Sequence, residues 1–157
     1  VDIYLMQHGL AVPAEIDVDR PLTAEGREEV TQVARHAAAC GVRVDRIVHS
    51  GKTRAVQTAE ILAAALGCED VAAVHGLKPN DDVAAAARSL VDPATSGGLA
   101  IVGHLPSLDR LASLLVAGDA AAHVVAFRNA GLVSLVPAES SGGFSVAWAV
   151  TPDLARG

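Results

Sequence analysis

Three separated segments each close an apolar run with a residue type suited to phosphate: Ile3-Tyr4-Leu5-Met6-Gln7-His8-Gly9, Ile47-Val48-His49-Ser50-Gly51-Lys52-Thr53-Arg54, and Ala100-Ile101-Val102-Gly103-His104. A neutral imidazole can attack phosphorus as a nucleophile and split a difficult transfer into two easier steps. A guanidinium presents a fork of donors that matches phosphate oxygens. A second imidazole can donate to those oxygens as charge develops in the transition state. In an open α/β sheet such residues converge outside the carboxyl ends of parallel strands. His8, Arg54 and His104 are therefore the candidate catalytic residues, with His8 as nucleophile and Arg54 and His104 holding phosphate. His49 and Lys52 lie close by in sequence and are expected to be solvated surface residues.

The elements that must position these residues alternate along the chain. Residues 2–7 read as a short buried strand, and Thr23 as the N-cap of a helix reaching about residue 39, with Glu25, Glu28 and Glu29 favouring its positive end. Residues 45–49 read as a second strand, followed by a helix from Lys52 to Leu66 that Gly67 stops. A weak strand near 71–74 leads into the turn Lys78-Pro79-Asn80-Asp81-Asp82, after which a third helix runs to about residue 91. Pro93 to Gly98 reads as a loop, 99–103 as a strong strand, and Pro106 or Ser107 as the start of a helix ending before Gly118. Two late strands, about 131–136 and 144–150, flank the turn Glu139-Ser140-Ser141-Gly142-Gly143 as in a hairpin. This order predicts a three-layer α/β/α sandwich with a mostly parallel central sheet and a C-terminal hairpin.

Composition narrows the function classes. With 157 residues the expectation is a single domain over residues 1–157, and 51% hydrophobic against 19% charged residues suits a packed core. The only aromatics are Tyr4, Phe127, Phe144 and Trp148, so the core must be built of Ala, Val, Leu and Ile. A formal charge of −6 disfavours nucleic acid and anionic membrane as partners. No apolar run approaches a membrane span and no signal-peptide pattern opens the chain, so the cytoplasm is the expected compartment and a monomer the expected state. Cys40 and Cys68 are expected as free thiols. The six histidines lack Cys or carboxylate neighbours at ligand spacing, so neither a metal nor another cofactor is expected.

Taken together the motifs resemble the histidine phosphatase (phosphoglycerate mutase-like) superfamily, in particular its SixA-like phosphohistidine phosphatases. The similar pieces are Leu5 to Ala11, Asp19-Arg20-Pro21-Leu22-Thr23, Ser50 to Ala55, Gln57-Thr58-Ala59 and Val102 to Pro106. The late hairpin with Trp148 and the Thr151-Pro152 ending is similar in pattern. The resemblance implies that His8 accepts a phosphoryl group which water then releases as inorganic phosphate. It also implies that Arg54 and His104 surround the phosphoryl oxygens, that Arg20 lies near the substrate, and that Gln7 occupies a phosphate-shell position. The stretch between Arg54 and Leu99 is too short for the insertions that build metabolite pockets in larger relatives. An open site suits a phosphohistidine carried by a protein.

Two departures from the family pattern carry consequences. The family places arginine directly before the nucleophile, where this chain has Gln7. A glutamine amide can donate to phosphate but brings neither charge nor a bidentate fork. The general acid expected near the third strand is also not evident; Asp81 and Asp82 are the nearest candidates, alongside their ordinary role as helix caps. Weak acid assistance matters less for a labile N–P bond than for an alkyl ester. The leading expectation is thus a metal-independent phosphohistidine phosphatase with activity reduced by Gln7. Two alternatives stand beside it: a phosphate- or phosphohistidine-binding module without turnover, and a phosphomonoesterase acting on a small phosphorylated substrate.

Overall fold

A computed structural model describes residues 1–92, 97–139 and 142–156. Most of the Pro93–Gly98 loop and the centre of the Glu139–Gly143 turn lie outside the described residues. The elements run β1 (Asp2–Gln7), α1 (Ala24–Ala39), β2 (Arg46–His49), α2 (Thr53–Leu66), β3 (Val71–Ala73), α3 (Val83–Leu90), β4 (Gly98–Gly103), α4 (Ser107–Ala117), β5 (Leu132–Pro137), β6 (Phe144–Val150) and a short α5 (Pro152–Ala155). Each predicted strand and helix is present within a residue or two, and α5 is an addition. Lys52 is the N-cap of α2 and not its first helical residue.

The helix ends are set by local chemistry. The Thr23 hydroxyl accepts from the Gly26 amide and so satisfies one of the orphan donors of α1. Gly67 (φ 67°) and Gly118 (φ 70°) close α2 and α4 in the left-handed conformation, which a side chain disfavours. Asp82 caps α3 through the Ala84 amide.

The six strands form one sheet in the order β3-β2-β4-β1-β5-β6. The first four are mutually parallel, while β5 runs antiparallel to β1 and β6 antiparallel to β5. Side-chain alternation then divides the core into two layers. Tyr4, Met6, Ala100, Val102 and Leu132 face α1 and α2, where Ala55, Ala59 and Ala63 recur at helical spacing beside Val30 and Val33. Ile3, Leu5, Leu99, Ile101 and Val133 face α3 and α4, meeting Val83, Leu108 and Leu111. Each fully buried aliphatic side chain contributes about 1.5–3 kcal/mol, and this two-sided burial holds the strand register. No helix among the described residues is long and apolar enough to cross a membrane.

Candidate active site

The parallel register brings the chemistry-bearing residues to one edge of the sheet. Gln7 of β1 pairs with Gly103 of β4, and His49 of β2 pairs with Val102. His8 and His104 each follow their strand by one residue, so they emerge side by side. Their ring centroids are 5.0 Å apart with planes tilted by 51°. The His8 amide still bonds to the Gly103 carbonyl at 3.1 Å, while Asn129 Nδ2 donates to the His8 carbonyl at 3.0 Å from the side of β5. His8 is thus held between two neighbouring segments.

Just after His8 the chain is pressed against α1. A Cβ at Gly9 would lie 2.7 Å from Val30 Cγ2, and one at Gly26 would lie 2.1 Å from the Leu10 carbonyl oxygen. The Gly9 amide donates to Thr58 Oγ1 at 3.0 Å, and that hydroxyl donates on to the Arg54 carbonyl at 2.8 Å. Thr58 therefore ties the first turn of α2, which carries Arg54, to the segment that carries His8. Thr58→Val keeps the shape but leaves the buried Gly9 donor without this acceptor, and should lower unfolding free energy by about 1–3 kcal/mol in urea titrations. Thr58→Ser should retain most of it.

The state of His8 follows from its contacts. Its Nδ1 lies 2.7 Å from the Gly9 carbonyl, which can only accept, so the ring proton sits on Nδ1 and the Nε2 lone pair is free. Burial lowers its pKa to about 4; the Gly9 bond opposes this, and Arg54 and Arg20 add to the lowering. His104 is 1% exposed, and its Nε2 is 2.6 Å from Ser50 Oγ. Burial, followed by the charges of His8, Arg54, Lys52 and Arg20, lowers its pKa to about 3. Both rings are neutral near pH 7, the form that a histidine nucleophile requires.

Arg54, Arg20 and Lys52 set positive charge around these neutral rings, and among the described residues no carboxylate forms an ion pair with these three. Arg54 stands in the first turn of α2, where the helix dipole disfavours a cation. Its Nε is buried without a partner, and burial together with Arg20 lowers its pKa. Arg20 adopts a left-handed backbone (φ 48°) and anchors its Nε on the Val12 carbonyl at 3.1 Å. Among the described residues five buried side-chain polar atoms lack a partner; two of them, Arg54 Nε and His104 Nδ1, belong to the groups gathered around His8, and a third, Gln7 Oε1, is on the residue before it. Folded proteins satisfy nearly all such atoms internally, so the unpaired Arg54 Nε and His104 Nδ1 make this the candidate ligand site. An oxyanion is the ligand that this arrangement of cations and N–H donors can hold.

The remaining sequence candidates separate. Asp81 and Asp82 line a cavity of about 510 Å³ together with Ser50, Val74, His75 and Lys78. One oxygen of each is engaged as a cap, Asp81 Oδ2 with the Lys78 amide at 2.9 Å and Asp82 Oδ1 with the Ala84 amide at 3.0 Å. Lys52 is exposed as expected. His49 is not: it is 7% exposed and its Nδ1 accepts from the Gly51 amide at 3.1 Å. Its position as the last residue of a strand buried on both faces accounts for the difference. Sequence reasoning assigned no role to Ser50, Thr58 or Asn129. The first two stand in motif segments and could have been suspected there, whereas Asn129 has no local signal. Among the described residues no group of three or more His, Cys, Asp or Glu side chains is placed to hold a metal ion.

Fold and site together define a class of α/β protein that gathers paired histidines and arginines at the carboxyl edge of its sheet to handle phosphate. The chain belongs to the histidine phosphatase superfamily, whose branch 1 model matches residues 3–79. Members of this family are phosphatases. An uncharacterized protein of Picosynechococcus sp. (strain ATCC 27264 / PCC 7002 / PR-6) is 33% identical over 141 residues, covering 86% of this chain and 84% of that protein. The structure of the protein histidine phosphatase SixA complexed with tungstate is similar at a TM-score of 0.83 and 26% identity, over 98% of both chains. The Entamoeba histolytica phosphoserine phosphatase complexed with 3-phosphoglyceric acid superposes at 0.71 with 16% identity, over 96% of both chains, which shows the shared fold alone. The family expected from the motifs is the family found.

Proposed function

We propose that the protein hydrolyses phosphohistidine carried by a partner protein. The observation that carries this reading is the Nδ1 bond of His8 to the Gly9 carbonyl, which leaves a neutral Nε2 lone pair beside His104 and the arginines. Nε2 attacks phosphorus, the N–P bond of the substrate breaks, and the departing imidazole takes a proton from solvent. Water then attacks the phosphorus on His8, releasing inorganic phosphate and returning the Nε2 lone pair. Arg54, Arg20 and His104 hold the phosphoryl oxygens through both steps. Asp81 and Asp82 each spend one oxygen on a backbone amide, which suits a leaving group that departs with little acid help. The likeness to the protein histidine phosphatase SixA supports the same substrate class.

Phosphate release from a phosphohistidine-bearing protein, compared with release from a phosphoserine peptide, tests the substrate class. Release from the first and little from the second is expected. The reverse preference, with loss on changing Asp81 or Asp82 to asparagine, would establish a phosphomonoesterase instead.

A binding module is the second reading, and Gln7 is the observation that favours it. Its side chain is 8% exposed and its Oε1 has no partner, so a neutral amide stands where the family carries a cation. Exchanging a neutral donor for a charged fork is worth about 1–1.5 kcal/mol, or about 5–13-fold. Gln7→Arg should therefore raise kcat/KM or tighten inorganic phosphate by that factor. Unchanged values of both would put Gln7 outside the phosphate shell, and protection of the phosphohistidine without release would favour the module.

A further inference from the structure

Ser50 ends the β2 segment and places its hydroxyl 2.6 Å from His104 Nε2, across 54 positions of sequence. The same oxygen accepts the Lys52 amide at 3.2 Å. A serine hydroxyl has one proton to donate and two lone pairs to accept with. With one lone pair committed to Lys52, and no other protein acceptor for the hydroxyl proton among the described residues, the pairing that satisfies the hydroxyl within the protein sends that proton to the His104 ring. Nε2 is then an acceptor, and the proton of the neutral ring must be on Nδ1. That atom is the buried one without a partner in the chain.

The opposite tautomer fares worse. If Nε2 carried the proton, Nδ1 would present a buried lone pair to the anion that the surrounding cations draw in. A lone pair repels phosphoryl oxygens, whereas an N–H stabilises the charge that grows on them. We infer that Ser50 is a positioning residue that holds neutral His104 as its Nδ1–H tautomer and so turns the ring into a phosphoryl-oxygen donor. The low basicity of His104, driven first by burial, keeps the ring in the neutral form for which a tautomer choice exists. This inference rests on the phosphate-handling role of the site, and the experiment separates the two.

Nitrogen-15 NMR of the histidine rings at pH 7.5, with and without inorganic phosphate, reads the tautomer directly. The expected spectrum has a protonated Nδ1 and an unprotonated Nε2 for His104, retained when phosphate binds. Ser50→Ala should populate both tautomers, weaken inorganic phosphate, and lower kcat on a phosphohistidine-bearing protein by about 10–100-fold. That loss is smaller than the 10²–10³ typical when such a donor is removed outright. Ser50→Thr, which keeps the hydroxyl, should restore the tautomer and most of the affinity; the tautomer is the readout that loss of the Lys52 bond alone does not move. An Nε2–H tautomer in the unaltered chain overturns the inference, as does Ser50→Ala with unchanged tautomer and phosphate affinity. If no phosphohistidine is hydrolysed, the functional reading fails, while the tautomer and the phosphate affinity still decide the role of Ser50. Should Ser50→Ala not fold, the spectrum of the unaltered chain decides alone.

Discussion

His8→Ala should stop phosphate release from a phosphohistidine-bearing protein, lowering turnover by about 10⁴-fold or more, the scale on which loss of a covalent nucleophile is felt. The expectation follows from the free Nε2 lone pair of His8, while Nε2 of the neighbouring His104 is bound to Ser50. Brief incubation of the unaltered chain with labelled substrate should trap label on His8, and the alanine variant should trap none. Equal release from both proteins would remove His8 from the chemistry. The pH dependence has a definite sign. A nucleophile whose pKa is lowered to about 4 stays unprotonated well below neutrality, so the acid limb of kcat/KM should fall near pH 4 instead of near 6.5.

The same shifts link to stability. His8 and His104 have folded pKa values lowered to about 4 and about 3, below the ordinary 6.5. Between those values the unfolded chain binds more protons than the folded one, so stability rises with pH in that window. The contribution is present in full above about pH 6.5 and is lost as pH falls through about 4. The urea midpoint should therefore be lower at pH 4.5 than at pH 7.5, and the difference should shrink in His8→Ala if its imidazole is one of the responsible groups.

Arg54→Ala should lower turnover by about 10²–10³-fold, because the site loses its buried guanidinium donor to the developing charge. Its effect on stability should have the opposite sign or be absent. Arg54 lies among Arg20 and Lys52, its own ionisation is disfavoured by burial and by Arg20, and among the described residues no carboxylate forms an ion pair with it. Removing that charge relieves repulsion in the phosphate-free protein, while Thr58 keeps its bond to the Arg54 backbone carbonyl. The melting temperature without phosphate should be equal or higher, and the rise produced by adding inorganic phosphate should shrink. A variant that melts early and keeps the full phosphate response would show that Arg54 is structural. The contrast between lost function and retained stability is the pattern expected where a site holds unpaired charge for its ligand.

Much of the molecule was legible in sequence because the deciding interactions are local. The strands show as short apolar runs, and helix ends show as Thr23, Gly67, Asp82 and Gly118, whose capping chemistry acts within a few residues. That His8, Arg54 and His104 would be brought together was legible because each belongs to a segment where an apolar run stops, and the resemblance to the family rested on those same segments. His49 was misread as solvated because exposure depends on neighbours in other strands, not on adjacent residues.

What the sequence determined by itself, then, was the inventory of elements, the family, and the residue types available at the strand ends. Tertiary structure decided how they meet. Inserting β4 between β2 and β1 sets His104 beside His8 through the Gln7–Gly103 pair, a choice made by burying both faces of the sheet at once. Protonation states were decided there as well, since they rest on a carbonyl at 2.7 Å and a hydroxyl at 2.6 Å. The contacts that hold the site span 49 positions from Gly9 to Thr58 and 121 from His8 to Asn129. No local pattern encodes such pairs, because packing of the whole core, not adjacency along the chain, brings those donors and acceptors together.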